Sequence, residues 1–230
     1  MRQKNPRISK REFFFSKKVG KAIAAYEMIK EGDRVLIAVS GGRSSLSLLQ
    51  VLRYKQGRLP VKFDILAYYI DRGLDNARCN LLERFFEDNN YDYIIEKRDC
   101  KPEELNTVLL EAAKKKGFNK IALGHNKDDI AVELFFNLFF HGKVGSVEPT
   151  EVFLGESLKI IRPLAFCEEH FINNYANANN FPELRTGRPK EQDPKTMVVK
   201  NMLGLVSKHN KDAKTNIARS LNNINFDYLP

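Results

Sequence analysis

The chain is 230 residues long and 43% hydrophobic, enough for one ordinary core and one main domain. No apolar run approaches the roughly 20 residues that cross a bilayer; the basic start leads into no signal-type apolar core, and three unevenly spaced cysteines argue against a secreted disulfide framework, so a cytoplasmic protein without membrane contact is expected. A formal net charge of +9 adds the expectation of a polyanionic partner.

Residues 1–32 read as a basic helical segment, with apolar residues at helical spacing over Phe13–Ile29 (Val19, Ile23, Tyr26) and Glu31-Gly32-Asp33 ending it. Residues 33–182 then alternate. Strand-like runs begin at Val35 and recur at Phe63–Ile70, Tyr91–Glu96 and Lys120–Leu123; helix-like stretches lie at Ser44–Arg53, Asp75–Asn89, Glu103–Lys116 and Lys127–Phe140. Helices of this length between strands predict βαβ crossovers, hence an α/β fold with a doubly wound parallel sheet. Residues 183–230 form a tail: a polar connector over Leu184–Asp193, then two short helices at Lys195–Lys208 and Asp212–Ile224.

The most telling segment is Val35-Leu36-Ile37-Ala38-Val39-Ser40-Gly41-Gly42-Arg43-Ser44-Ser45, an apolar strand emptying through a glycine turn into a helix. Glycines without Cβ let several N–H groups converge on a phosphate, and the helix N-terminus adds its partial positive charge. The spacing is neither the Walker pattern nor the dinucleotide Gly-x-Gly-x-x-Gly. In doubly wound sheets ligands sit beyond the carboxyl ends of the strands, where Ser40, Asp71 and Gly124-His125 fall. A nucleotide site is therefore expected over Ala38, Ser40, Gly41, Gly42, Arg43, Ser44, Ser45, Asp71, Gly124 and His125.

Several of these residues admit a second reading. Arg43 is either a cation beside a phosphate or a solvated turn residue. Asp71 lies beside the nucleotide or caps the next turn. His125 is structural or ribose-adjacent rather than a general base, since the spacing implies no acidic orienter. Asp128 and Asp129 open a helix, where carboxylates commonly satisfy orphan N–H groups. Cys167 reads as structural. Phe135, Phe136, Phe139 and Phe140, with Leu134 and Leu138, predict a helix buried on most sides. In the first helix Lys4, Arg7, Lys10, Arg11, Lys17 and Lys18 crowd around Phe13, Phe14 and Phe15, which favours RNA contact over a solvated charged face.

The loop resembles the Ser-Gly-Gly-x-Asp-Ser loop of the adenylating ATP pyrophosphatases. Together with Gly20–Val35, Lys120-Ile121-Ala122-Leu123-Gly124-His125-Asn126-Lys127-Asp128-Asp129 and Ile161-Arg162-Pro163-Leu164-Ala165-Phe166-Cys167, it is similar to the tRNA 2-thiocytidine synthetase family over residues 11–182. The resemblance implies an adenine nucleotide alpha hydrolase-like fold, ATP with Mg²⁺, tRNA as partner, adenylation of a base with release of pyrophosphate, and replacement of AMP by sulfur. It gives Arg43, Asp128 and Asp129 catalytic roles, the two aspartates as Mg²⁺ ligands, and leaves room for a sulfur donor protein and a homodimer.

Two departures qualify that implication. The family carboxylate of the loop is Ser44 here, which brings no charge to Mg²⁺. Bacterial members hold an iron–sulfur cluster on a Cys-x-x-Cys pair and a later cysteine; the pair falls at Arg98-Asp99-Cys100-Lys101, with one thiol, and no cysteine occurs over Phe181–Gly187. No iron–sulfur cluster and, without a paired Cys or Cys/His motif, no zinc are expected. Cys100 is the candidate sulfur-relay thiol, against the plainer reading of an incidental cysteine. Two functions stay in view: an ATP-dependent tRNA-modifying transferase, and a degenerate relative that binds nucleotide or RNA without turnover.

Overall fold

In the computed structural model the described residues are 9–73, 75–153, 157–182, 193–221, 223 and 227. Helix α1 (Lys10–Ala25) leads into β1 (Asp33–Ala38), α2 (Arg43–Gln56), β2 (Phe63–Asp71), α3 (Asn76–Asp88) and β3 (Tyr93–Lys97). After a 3-10 turn at Pro102–Glu104 come α4 (Leu105–Lys115), β4 (Lys120–Ala122), α5 (Lys127–His141), β5 (Thr150–Phe153), β6 (Leu158–Ile161), α6 (Glu169–Ala178), α7 (Pro194–His209) and α8 (Ala213–Ser220).

The strands form one six-stranded sheet in the order β3-β2-β1-β4-β6-β5. All neighbours are parallel except β5, which runs antiparallel to β6 at the edge. The chain thus steps outward from β1 to β3 and returns to the other side of β1 as β4, so the order reverses between β1 and β4. The doubly wound expectation holds.

Period-two alternation divides the central strands between two cores. Val35, Ile37, Ile65 and Ala67 face the layer that includes Phe15, Val19, Leu46, Leu49, Phe86 and Ile172, while Leu36 and Tyr68 face Leu109, Ala113, Phe118 and Ile121. At the amino end of the β1–β4 pair, buried Lys120 lies 3.8 Å from Asp33, which also accepts a hydrogen bond from Asn119 at 2.8 Å. These contacts set β4 beside β1 and leave the opposite, carboxyl ends to the loops.

Three sequence expectations change. The β5–β6 hairpin and α6 were not predicted as elements, because two four-residue strands are too short to show a period. Helix α5 is not buried on most sides: Phe139 is 54% exposed and Leu138 and Phe140 also face solvent, since α7 covers only the stripe at Ala131, Phe135 and Phe136. The tail helices dock on α5 through Val199, Leu203, Met202 and Ile217. The connector expected over 184–193 lies outside the described residues up to 192.

Candidate nucleotide site

Past Ala38 the chain continues the sheet by one bond, from Val39 N–H to the Tyr68 carbonyl at 2.9 Å, and then turns. Gly41 makes the turn at φ +81°, a left-handed angle that side chains disfavour. Gly42 has φ −78° and ψ 159° and serves as N-cap of α2. Ser45 knits the loop: its hydroxyl donates to the Gly42 carbonyl at 2.9 Å and accepts from Ser40 N–H at 3.1 Å. The Ser40 hydroxyl in turn accepts from Gly42 N–H at 3.4 Å.

No side chain caps α2, no acid lies in its first turn, and its first main-chain bond runs from Leu46 N–H to the Gly42 carbonyl. The N–H groups of Arg43, Ser44 and Ser45 therefore have no acceptor within the helix, and they lie where the helix dipole is positive. Such an end suits an anion.

The loop after β4 closes against this end. A Cβ on Gly124 would lie 3.1 Å from Ser45 N and 3.2 Å from the Ser44 carbonyl carbon, so a side chain there would push the two backbones apart by a few tenths of an ångström. His125 follows, half-buried with its Nδ1 shielded from solvent. Asn126 caps α5, accepting from Asp128 N–H at 2.8 Å and Asp129 N–H at 3.2 Å, and Asp129 completes a capping box by accepting from Asn126 N–H at 2.9 Å.

Asp128 is engaged elsewhere. Its carboxylate accepts from Glu169 N–H, at the start of α6, at 2.8 Å and pairs with the Lys214 ammonium of α8. Beside it the buried Lys127 reaches Glu168 at 3.2 Å and the Thr215 hydroxyl at 3.0 Å. Both carboxylates expected to face Mg²⁺ thus also serve the protein's own contacts. Among the described residues no three His, Cys, Asp or Glu side chains gather as a metal site. Lys214, Glu168 and the α6 N-terminus were invisible in the sequence, because they lie 41 to 86 positions from their partners.

Arg43 is exposed at the mouth of the loop, its guanidinium 3.4 Å from the side-chain Oδ1 of Asn173 on α6. With Ala176, Asn177, Asn180 and Phe181 it lines a cleft of about 300 Å³. Asp71 is buried and accepts from Gly73 N–H at 2.9 Å, which is the turn-capping alternative.

The cysteines are scattered. Cys79 on α3 lies against Asp71, and burial first, then that carboxylate, pushes its thiol up from the ordinary value. Cys167 is fully buried, which pushes it up to about 12. Cys100 is half-buried beyond β3. Of the residues expected to meet RNA, Lys10 and Lys17 are exposed, whereas Lys18 packs its ammonium 4.7 Å from the Phe171 ring; Lys4, Arg7 and the side chain of Arg11 lie outside the described residues.

Residues 14–182 match the family described as the PP-loop domain. The chain belongs to the PP-loop family. Among curated relatives, a tRNA-cytidine(32) 2-sulfurtransferase of Geobacter sulfurreducens is 32% identical across 92% of this chain and 90% of its own. One of Dechloromonas aromatica is 37% identical across 76% of this chain and 67% of its own. Among solved structures, the U34-tRNA thiolase NcsA from Methanococcus maripaludis, determined with its [4Fe-4S] cluster, superposes with a TM-score of 0.75 at 18% identity, covering 96% of this chain and 81% of that one.

The cysteines of this chain lie on separate elements. Cys100 follows β3 and Cys167 follows β6, four positions apart in the sheet order. Neither has a second cysteine beside it in sequence, and among the described residues no three His, Cys, Asp or Glu side chains gather. Cys79 sits on a third element. The residues present do not fit a cubane.

Proposed function

We propose that this PP-loop protein is an ATP-dependent tRNA-modifying transferase that adenylates a base and, through the adenylate, thiolates it. The observation that carries the reading is the uncapped N-terminus of α2, shaped by Gly41 and closed by Gly124 at the point where the strand order reverses. The N–H groups of its first turn, at the positive end of the helix dipole, suit the β- and γ-phosphates of Mg²⁺·ATP, with Arg43 at the exposed side to neutralise charge as pyrophosphate departs. Relatives that share most of the chain's length are named for sulfur transfer to a tRNA cytidine.

In the first step the carbonyl oxygen of the base attacks the α-phosphorus, and the α–β bridging bond breaks with its electron pair leaving on pyrophosphate. In the second, a sulfur nucleophile at the oxidation level of sulfide forms the carbon–sulfur bond while the carbon–oxygen bond breaks and AMP leaves. No oxidant or reductant is consumed. The sulfur arrives from outside the chain, on a donor protein or as hydrosulfide, because the cysteines lack the grouping for a cluster. The setting of tRNA modification makes the protein cytoplasmic in this reading.

The degenerate alternative has its own support: Ser44 carries no charge where the family has a carboxylate, and Asp128 is neutralised by Lys214. Exchange of labelled pyrophosphate into ATP decides between them. The transferase reading expects exchange that depends on bulk tRNA; ATP binding with no exchange, with or without tRNA, identifies a binding protein.

A further inference from the structure

Helix α1 carries a solvent-facing stripe that packing does not explain. Its buried side is Phe15, Val19, Ala22 and Ile23. On the other side Lys10, Lys17 and Lys21 are exposed, and their spacing of seven and four residues sets them in one line along the helix. Phe13 and Phe14 border that line on either side, 53% and 47% exposed, with ring centroids 6.0 Å apart in an edge-to-face pair. The helix has one acid, Glu12, and its carboxylate is turned away to the Ser9 N–H in a capping box.

A helix face that merely faces water has no use for two adjacent exposed phenyl rings, and one that meets an apolar protein surface has no use for an uncompensated row of ammonium groups. Both features suit one ligand. An unpaired nucleic acid strand offers phosphates at regular intervals and bases whose faces stack on aromatic rings. The stripe also lies near the site. Phe15 stacks on Tyr175 with centroids 4.3 Å apart and Lys18 covers Phe171, while Asn173, on the same helix α6, meets Arg43. Helix α6 thus joins the helix that carries the stripe to the residue at the mouth of the loop.

We propose that this face of α1 docks an unpaired stretch of RNA, with phosphates on Lys10, Lys17 and Lys21 and bases stacked on Phe13 and Phe14. The proposal rests on the tRNA reading above and adds to it that the bound stretch is single-stranded.

Fluorescence anisotropy tests it on the full chain with a labelled single-stranded oligouridine, an RNA duplex of equal length and bulk tRNA, each titrated at several salt concentrations. The intact protein is expected to prefer the single strand to the duplex. Changing Phe13 and Phe14 together to Leu keeps the apolar bulk and removes the rings; single-strand affinity should fall about tenfold or more at unchanged salt dependence. Changing Lys10, Lys17 and Lys21 together to Gln should flatten the salt slope by about 2, at ~0.7 per lost phosphate contact. Both variants should bind ATP as the parent does, which verifies folding. Equal affinity of parent and Phe variant for the oligouridine, a preference for the duplex, or binding of polyglutamate in place of RNA each overturns the docking surface. tRNA-dependent pyrophosphate exchange alongside such a result leaves the enzyme reading standing; its absence ends that reading separately.

Discussion

At φ +81° Gly41 occupies a backbone region where a side chain costs about 1–2 kcal/mol, whereas Gly42 at φ −78° uses an angle open to any residue. The sequence shows two adjacent glycines and no way to tell which one the turn depends on; the backbone angles make them unequal. Gly41→Val is therefore expected to lower ATP affinity at least tenfold in calorimetry, with Gly42→Ala much milder. Equal effects from the two substitutions would falsify the assignment of the turn. Ser44, one residue into α2, is the second informative position, since the first turn holds no acid. Ser44→Asp adds a carboxylate at a helix N-terminus, which is expected to raise stability by about 0.3–1 kcal/mol in denaturant unfolding without nucleotide. If the site works with Mg²⁺·ATP, that carboxylate should also tighten the magnesium-dependent part of binding. Greater stability with weaker Mg²⁺·ATP binding is the result that removes Ser44 from the cation's surroundings.

Among the elements, α5 shows where local reading succeeds and where it ends. Its start was legible in the two carboxylates that open it, Asp128 and Asp129, although the cap itself is Asn126, which the structure adds. Its surroundings were not: Asp128 meets Lys214 from α8 and the first N–H of α6, contacts that only the fold creates. The exposed rings at its far end were misread for the same reason, since the extent of cover by α7 is a tertiary fact. Lys214→Ala removes the ammonium from Asp128 and one of the ties of α8. Expected are a modest fall in thermal stability and a shift of ATP binding to lower Mg²⁺ concentration, because the carboxylate, without the ammonium beside it, attracts a cation more strongly. ATP binding with an unaltered Mg²⁺ midpoint in this variant excludes Asp128 from the metal's surroundings and leaves it a structural partner of α8.

At the scale of the whole molecule the parallel sheet could be read in advance, because strands separated by helices leave few topologies and the glycine loop marks the place where the order reverses. The spatial relation of the cysteines could not, and it governs the sulfur chemistry. Burial and Asp71 raise the Cys79 thiol, burial raises Cys167 to about 12, and Cys100 sits half-buried on the loop beyond β3. A thiol whose value lies above its ordinary one carries little thiolate at pH 8, and the thiolate is the reactive form. A disulfide reagent at pH 8 is therefore expected to modify Cys100 first and Cys79 slowly. Cys167 should wait for denaturant. Raising the pH should accelerate Cys79, since its thiolate fraction grows as the pH approaches the raised value. Anaerobic reconstitution with iron and sulfide should leave no stoichiometric cluster absorbing near 400 nm, and Cys100→Ser should keep full pyrophosphate exchange, because adenylation needs no thiol. Loss of tRNA thiolation from free sulfide in that variant, with exchange intact, would place the Cys100 thiolate in the second step as a nucleophile that displaces AMP from the base and is displaced in turn by sulfide. Retention of both activities would mean that sulfide attacks the adenylated base directly.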